Sequence, residues 1–169
     1  SGYQGTAHSC AFSDGSGNYF IASQARPGSD KFFMNLHVRK LFWTTDGWPV
    51  ASPERYAWEK DSLISQADIT GAWERIVLNY TIVPGYAAEQ LSPDFQVSND
   101  ITLDAAGTLN GNSADTWNYT APWLQLNWSN GTTEKVYVQK GRDWENKRAN
   151  SIIFTGLDNA GTAVWGKKK

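Results

Sequence analysis

Cysteine is almost absent: Cys10 stands alone among 169 residues, so no intramolecular disulfide can staple the chain and the redox compartment stays open. Only two histidines, His8 and His37, accompany it, and no Cys/His spacing resembles a metal-ligand motif, so neither a metal nor another cofactor is expected. Charge is scarce as well. Charged residues make up 19% of the chain, the net charge is −2, and the one basic run is the terminal Lys167-Lys168-Lys169. Such a surface cannot track a phosphate backbone, which removes nucleic acid from the expected partners. No apolar run approaches the roughly 18–20 residues that cross a bilayer, so no membrane is expected. No signal peptide opens the chain; if the protein is exported, its leader was removed or lies upstream. Helical patterning is confined to Ser52 to Ile64, where Ser-Pro-Glu-Arg reads as the start of a short helical turn in a connector.

What is abundant is turn chemistry and tryptophan. Asp14-Gly15-Ser16-Gly17-Asn18, Asp46-Gly47, Asn110-Gly111-Asn112, Asn130-Gly131 and Asp158-Asn159-Ala160-Gly161 read as hairpin turns. Between them lie runs of strand character at Tyr19 to Ser23, Asn35 to Trp43, Trp73 to Val83, Phe95 to Leu103, Trp123 to Asn127, Lys135 to Gln139, Ser151 to Thr155 and Thr162 to Trp165. Leu124, Leu126 and Trp128 alternate with Trp123, Gln125 and Asn127, and Val136 and Val138 alternate with Tyr137 and Gln139, which gives each strand one core face and one wet face. The spacing predicts an all-β chain. Its back part, 61–169, is read as an antiparallel barrel, because closure removes the edges that such strands would otherwise expose. The front part, 1–60, is read as further strands packed on it. Gly71-Ala72-Trp73 fits the Gly-x-Trp start of lipocalin-like barrels, with about six strands expected after it.

Gly5-Thr-Ala-His8-Ser, Asp14 to Tyr19, Leu36-His-Val-Arg39-Lys-Leu-Phe-Trp43, Thr45-Asp-Gly-Trp48-Pro-Val and Ser52-Pro-Glu-Arg55-Tyr follow one another in the front part. In that order they resemble the closing blade of a five-bladed propeller in family 43 glycoside hydrolases of the arabinanase type. Trp144-Glu-Asn146, Ile153-Phe-Thr155-Gly-Leu-Asp158 and Gly161-Thr-Ala-Val-Trp165-Gly-Lys167-Lys168 are similar to the lipocalin-like β-barrel domain that follows that propeller. The resemblance implies a secreted or cell-surface bacterial protein tethered to a glycoside hydrolase domain. Its catalytic acids would sit on early blades that this sequence does not match, and hydrolysis with inversion needs two carboxyls held across one sugar. Glu54, Glu59, Asp61 and Glu145 are accordingly expected as solvated turn or rim residues, and no enzyme activity is expected. His8 matches a family histidine that helps hold a hydrated calcium ion, yet Ala7 replaces the usual preceding Gly, so a hydrogen-bonded histidine is expected; His37 is read as structural.

Nine tryptophans exceed the needs of a small barrel core. Polysaccharides present C–H faces that stack on flat aromatic rings and hydroxyls that pair with amide, carboxylate and guanidinium groups; each ring contributes about 0.5–1.5 kcal/mol beyond its area. Trp43, Trp48, Trp58, Trp73, Trp128 and Trp165 are assigned to the core. Trp117, Trp123 and Trp144 sit among polar neighbours and are the expected sugar-binding rings, with Tyr119, Arg142, Asp143 and Asn146 beside them. The expected function is a non-catalytic module that binds a plant or algal polysaccharide, arabinan or an algal galactan such as agarose or porphyran. Two rivals stand beside it: a structural domain that stabilises an attached glycoside hydrolase, and a small-molecule carrier using the barrel interior. The second is disfavoured by the large side chains Leu124, Leu126, Trp128 and Phe154, which would fill that interior.

Overall fold

The computed structural model describes residues 3–27, 33–79 and 97–169. Strands β1 (Tyr3–Ser13), β2 (Tyr19–Pro27), β3 (Asn35–Trp43) and β4 (Pro49–Ala51) form one antiparallel sheet in the order β1-β2-β3-β4. After an irregular connector and a single turn of helix, α1 (Gln66–Ile69), the chain enters β5 (Gly71–Val77) and β6 (Asn99–Leu103). Then come β7 (Thr108–Leu109), β8 (Asn112–Thr120), β9 (Trp123–Asn127), β10 (Thr133–Asp143), β11 (Arg148–Asp158) and β12 (Ala163–Lys168). β5 to β12 close on themselves as an antiparallel barrel, β12 pairing back onto β5 with Trp165 opposite Ile76. The all-β, lipocalin-like expectation therefore holds, with seven strands after β5 rather than six.

Every predicted turn cluster sits between paired strands. At the β7–β8 turn Asn110 (φ 55°) and Gly111 (φ 69°) are both left-handed, the geometry that matches strand twist in a two-residue hairpin and that Asn-Gly adopts at low cost. The strands missed from the sequence are β1, β4, β7 and β8. β8 is the instructive one: Asn112–Thr120 is mostly turn-forming and polar, yet Asp115, Trp117 and Tyr119 alternate inward while their neighbours face solvent. β5 stops at Val77, and β6 opens at Asn99; the remainder of the expected Trp73–Val83 and Phe95–Leu103 strands lies outside the described residues or, at Leu78, Asn79, Val97 and Ser98, outside the strands.

The helical turn expected in Ser52 to Ile64 is absent. The backbone of that stretch is engaged elsewhere: the Arg39 guanidinium donates to the carbonyls of Ser52 and Pro53, and Tyr56 N–H donates to Val38 O at 2.7 Å. Helix forms one step later, where Ser65 and Asp68 complete a reciprocal cap: Asp68 N–H to Ser65 Oγ at 3.3 Å and Ser65 N–H to Asp68 Oδ2 at 2.8 Å.

The barrel interior is filled by Trp73, Phe154, Leu103, Leu109, Leu124, Leu126, Val136 and Val164, all fully buried. Trp73 stands at the centre, its ring 5.1 Å from that of Phe154 and its indole N–H donating to Ile69 O at 2.8 Å. Trp128 packs against this core as expected. Trp43, Trp48 and Trp58 do not: they are 48%, 63% and 83% exposed, a correction to their assignment as core. The sheet meets the barrel through β3 and β4. Thr155 Oγ1 donates to Ala51 O at 2.6 Å, Phe42 stacks on Tyr137 at 4.3 Å, and Arg39 lies 5.5 Å from the centre of the Trp165 ring. β1 is the opposite edge strand of the sheet.

Candidate functional site

The candidate residues separate into three places. Trp117 leaves the surface altogether: at 5% exposure it belongs to the barrel core, its indole N–H bound to Asp104 O at 2.9 Å, so it offers no ring to a sugar. Its polar neighbours Asn118 and Thr120 face solvent because they alternate with it, which is why the surrounding composition misled. Tyr119 and Trp123 flank the β8–β9 turn. Tyr119 Oη donates to Ile64 O at 3.1 Å, and Trp123 stands edge-on to Tyr137 at 5.4 Å with the Lys135 ammonium 5.6 Å from its ring centre.

Arg142, Asp143, Trp144 and Asn146 gather where β10 turns into β11, beside the connector. The Trp144 N–H donates to Arg55 O at 3.1 Å, and the Arg55 and Arg142 guanidinium carbons each lie 4.5 Å from its ring centre. The ring is thus held by two cations rather than left open as a stacking surface. Asp143 is 1% exposed and accepts from Asn146 N–H at 3.1 Å and Asn146 Nδ2 at 2.7 Å. Burial pushes its pKa up, but those bonds and the nearby Lys167 outweigh it, and the carboxyl titrates below its usual range.

Between this turn, the β2–β3 face and the β5 and β12 strands lies a cleft of about 760 Å³, lined among others by His37, Arg39, Glu54, Arg55, Trp144 and Lys167. Lys167 is its hub, 2.6 Å from Glu54, 2.8 Å from Glu145 and 3.4 Å from Asp143. Its own burial opposes the charge, yet the carboxylates more than compensate and raise its pKa. Glu54 is 7% exposed, a correction to its expected place among solvated acids, and burial raises its pKa against the opposing pull of Lys167. Burial, then Arg55 and Arg39, lower the pKa of His37 and hold it neutral near neutral pH. Arg39, Glu54 and Lys167 were missed as a group because they come from β3, the connector and β12; the signal available was Ser52-Pro-Glu-Arg55 and the last Gly-Lys-Lys, read only as family marks.

This cluster pins the sheet to the barrel. Lys167→Met should destabilise the chain by about 3 kcal/mol near pH 7, since it leaves Glu54 as a buried carboxylate without its ion pair, whereas Asp143 keeps its two bonds from Asn146. Burial already raises the Glu54 pKa and Lys167 opposes that rise, so in the variant Glu54 takes up its proton more readily as the pH falls, and lowering the pH to about 5 narrows the deficit. Urea midpoints of both proteins at the two pH values measure this; an equal gap at both would mean that Lys167 contributes packing alone.

Among the described residues no group of three His, Cys, Asp or Glu is placed to hold a metal. His8 is exposed at φ 50°, with Nδ1 2.6 Å from the Gln24 amide nitrogen.

The extracellular endo-α-(1→5)-L-arabinanase 2 of Bacillus subtilis is 29% identical over 99% of this chain, and an extracellular endo-α-(1→5)-L-arabinanase of Thermotoga petrophila is 28% identical over 98%; in each case 34% of the relative is covered. The chain therefore spans about a third of the length of these relatives. Among solved structures, a family 43 glycoside hydrolase from Bacillus licheniformis superposes with a TM-score of 0.78 at 27% identity, over 98% of this chain and 36% of that one. The Thermotoga petrophila arabinanase shares the fold, with a TM-score of 0.79 at 24% identity over 99% of this chain and 36% of that one. The model of the C-terminal lipocalin-like domain of these hydrolases matches residues 53–166, most of the chain. The chain belongs to the family of C-terminal lipocalin-like domains of family 43 glycoside hydrolases.

Proposed function

We propose that this chain is a non-catalytic accessory part of an extracellular bacterial glycoside hydrolase acting on arabinan, dividing near residues 60 and 61, and that its four-stranded sheet docks the catalytic propeller blades. The observation that carries this reading is the apolar surface of that sheet. Every described side chain of β1 is exposed, and Leu36, Trp48 and Trp58 are 73%, 63% and 83% exposed. Phe12, Phe20, Tyr56 and Trp58 form a row with successive ring centres 5.4, 5.1 and 5.9 Å apart. An unpaired strand edge beside such a surface is the form of an interface. Trp58 adds backbone strain: φ is 67°, uncommon for a bulky residue, and Glu59 steadies the turn by accepting from Ala57 N–H at 3.0 and 3.1 Å.

The test is a chimera in which this chain replaces the matched third of the Bacillus subtilis arabinanase. The chimera should stay soluble and hydrolyse arabinan, whereas the enzyme truncated at the same point should aggregate. Trp43→Ser with Trp58→Ser should lower the melting temperature of the chimera by more than that of the isolated chain. A chimera as unstable as the truncated enzyme would defeat the reading.

Polysaccharide binding is the second reading, favoured by the half-buried Trp123 and by the polar cleft beside Trp144. Affinity electrophoresis against arabinan, pectic galactan, xylan, agarose, porphyran and carrageenan decides it: retardation by one class supports a binding module, and retardation by none leaves docking as the sole role.

A further inference from the structure

The sheet lies over the side of the barrel that carries Tyr137, Thr155 and Trp165, on β10, β11 and β12. The outward positions of β8 are exposed and those of β9 half-exposed. Strand register fixes what stands there. Thr116, Asn118 and Thr120 of β8 lie opposite Asn127, Gln125 and Trp123 of β9. Across β9, Thr133 and Lys135 of β10 lie opposite Asn127 and Gln125. Opposed residues share a face at about 5 Å. Three amides and three hydroxyls therefore form one patch, which ends at Trp123.

No carboxylate stands at these positions, and the one ammonium is engaged at the margin toward the sheet: Lys135 Nζ donates to Thr45 Oγ1 at 2.9 Å and lies 5.6 Å from the Trp123 ring centre. Amides and hydroxyls both donate and accept, which is the pairing that uncharged sugar hydroxyls need. Part of the patch is set in advance. Gln125 Nε2 donates to Asn127 Oδ1 at 2.8 Å, and Asn127 Nδ2 donates to Thr116 Oγ1 at 3.4 Å. Side chains already held in one rotamer lose less freedom when a ligand arrives. The oxygen of the Gln125 amide and the exposed amide of Asn118 stay available on this face. Trp123, edge-on to Tyr137, bounds the patch as an apolar wall.

We propose that the outward face of β8 and β9 binds an extended neutral polysaccharide chain, with Asn118, Thr120 and Gln125 pairing its hydroxyls and Trp123 bounding it at one end. This rests on the polysaccharide reading above and gives that reading a site. The test is a titration of the intact chain with oligosaccharides of α-1,5-arabinan, β-1,4-galactan and xylan, and with oligogalacturonate as the charged control, following the Asn and Gln side-chain amide signals by NMR. One neutral oligosaccharide should shift the Asn118 and Gln125 amides saturably, and oligogalacturonate should not. Asn118→Ala with Gln125→Ala, both outside the core, should leave the melting temperature nearly unchanged and weaken binding about tenfold or more. An equal response to oligogalacturonate, or a double variant that binds as the parent does, would overturn the proposal. Sugar-dependent shifts elsewhere, with these two amides unmoved, would overturn the site and keep the polysaccharide reading; no shift with any sugar would overturn both. In that last case a lower melting temperature for the doubly substituted chimera would assign the face to the propeller instead.

Discussion

Glu134→Ala is expected to destabilise the chain by about 3–5 kcal/mol, the cost of removing one partner from a buried ion pair. Glu134 alternates inward with Val136 and Val138 on β10, so a carboxylate lies in the barrel at 0% exposure. It is compatible with that place because every direction is answered. Arg75 donates through Nε at 2.9 Å and through a second guanidinium nitrogen, and the Trp128 indole donates at 2.8 Å. The Arg75 guanidinium also lies 4.8 Å from the Trp128 ring centre. Without Glu134, a guanidinium on a side chain only 14% exposed and an indole N–H both lose their acceptor. Glu134→Gln keeps an acceptor but not the charge and should cost about half as much. Urea unfolding followed by tryptophan fluorescence measures both. A loss under about 1 kcal/mol for the alanine variant would mean that Arg75 reaches solvent and that the triad is dispensable.

Trp73→Ala should cost about 3–5 kcal/mol, the range for a large aromatic removed from a core, and lower the melting temperature by about 10 °C. The ring is fully buried in contact with Phe154, and Phe154 in turn lies so close over Gly166 that a Cβ there would overlap its ring. The cavity cannot close by moving Phe154 inward without abandoning that contact. The lost indole also leaves the Ile69 carbonyl, at the end of α1, without the bond that ties this helical turn to the barrel. Trp73→Phe should retain most of the packing and lose that bond, falling between the two. Calorimetry of the three proteins checks the order, and a drop of only a few degrees for the alanine variant would show that the barrel repacks.

These two sites differ in how far the sequence announced them. Gly71-Ala72-Trp73 marks a strand start, and Leu124, Leu126, Val136 and Val138 alternate cleanly, so the Trp73 core was legible. Glu134 was not, because a lone carboxylate at the head of Glu134-Lys135 reads as solvated until Arg75, from a strand far away in sequence, is brought against it.

The tryptophans divide in the same manner. Trp117 was read as exposed from its polar neighbours and is buried; Trp43, Trp48 and Trp58 were read as core from their place in the blade-like front part and are exposed. A residue's alternation along a strand can be seen within a few neighbours, but which of its two faces meets another layer depends on where the sheet is placed. For Trp117 that is decided by closure of eight strands, and for Trp43 by the placement of the sheet, which turns Phe42 onto Tyr137 of the barrel and leaves its neighbour Trp43 facing away.

By itself the amino-acid sequence determined the all-β class, the hairpin turns, the alternating core of β9 and β10 and the kinship with arabinanase C-terminal regions. Those rest on local backbone geometry and on ordered short motifs, which need no knowledge of distant contacts. Only the tertiary structure decided that the expected sugar-binding residues lie in three separate places and that Lys167 gathers three carboxylates. Each of these is a matter of side chains from remote segments meeting at a common point, and the path of the closed barrel, not the neighbouring sequence, sets where they meet.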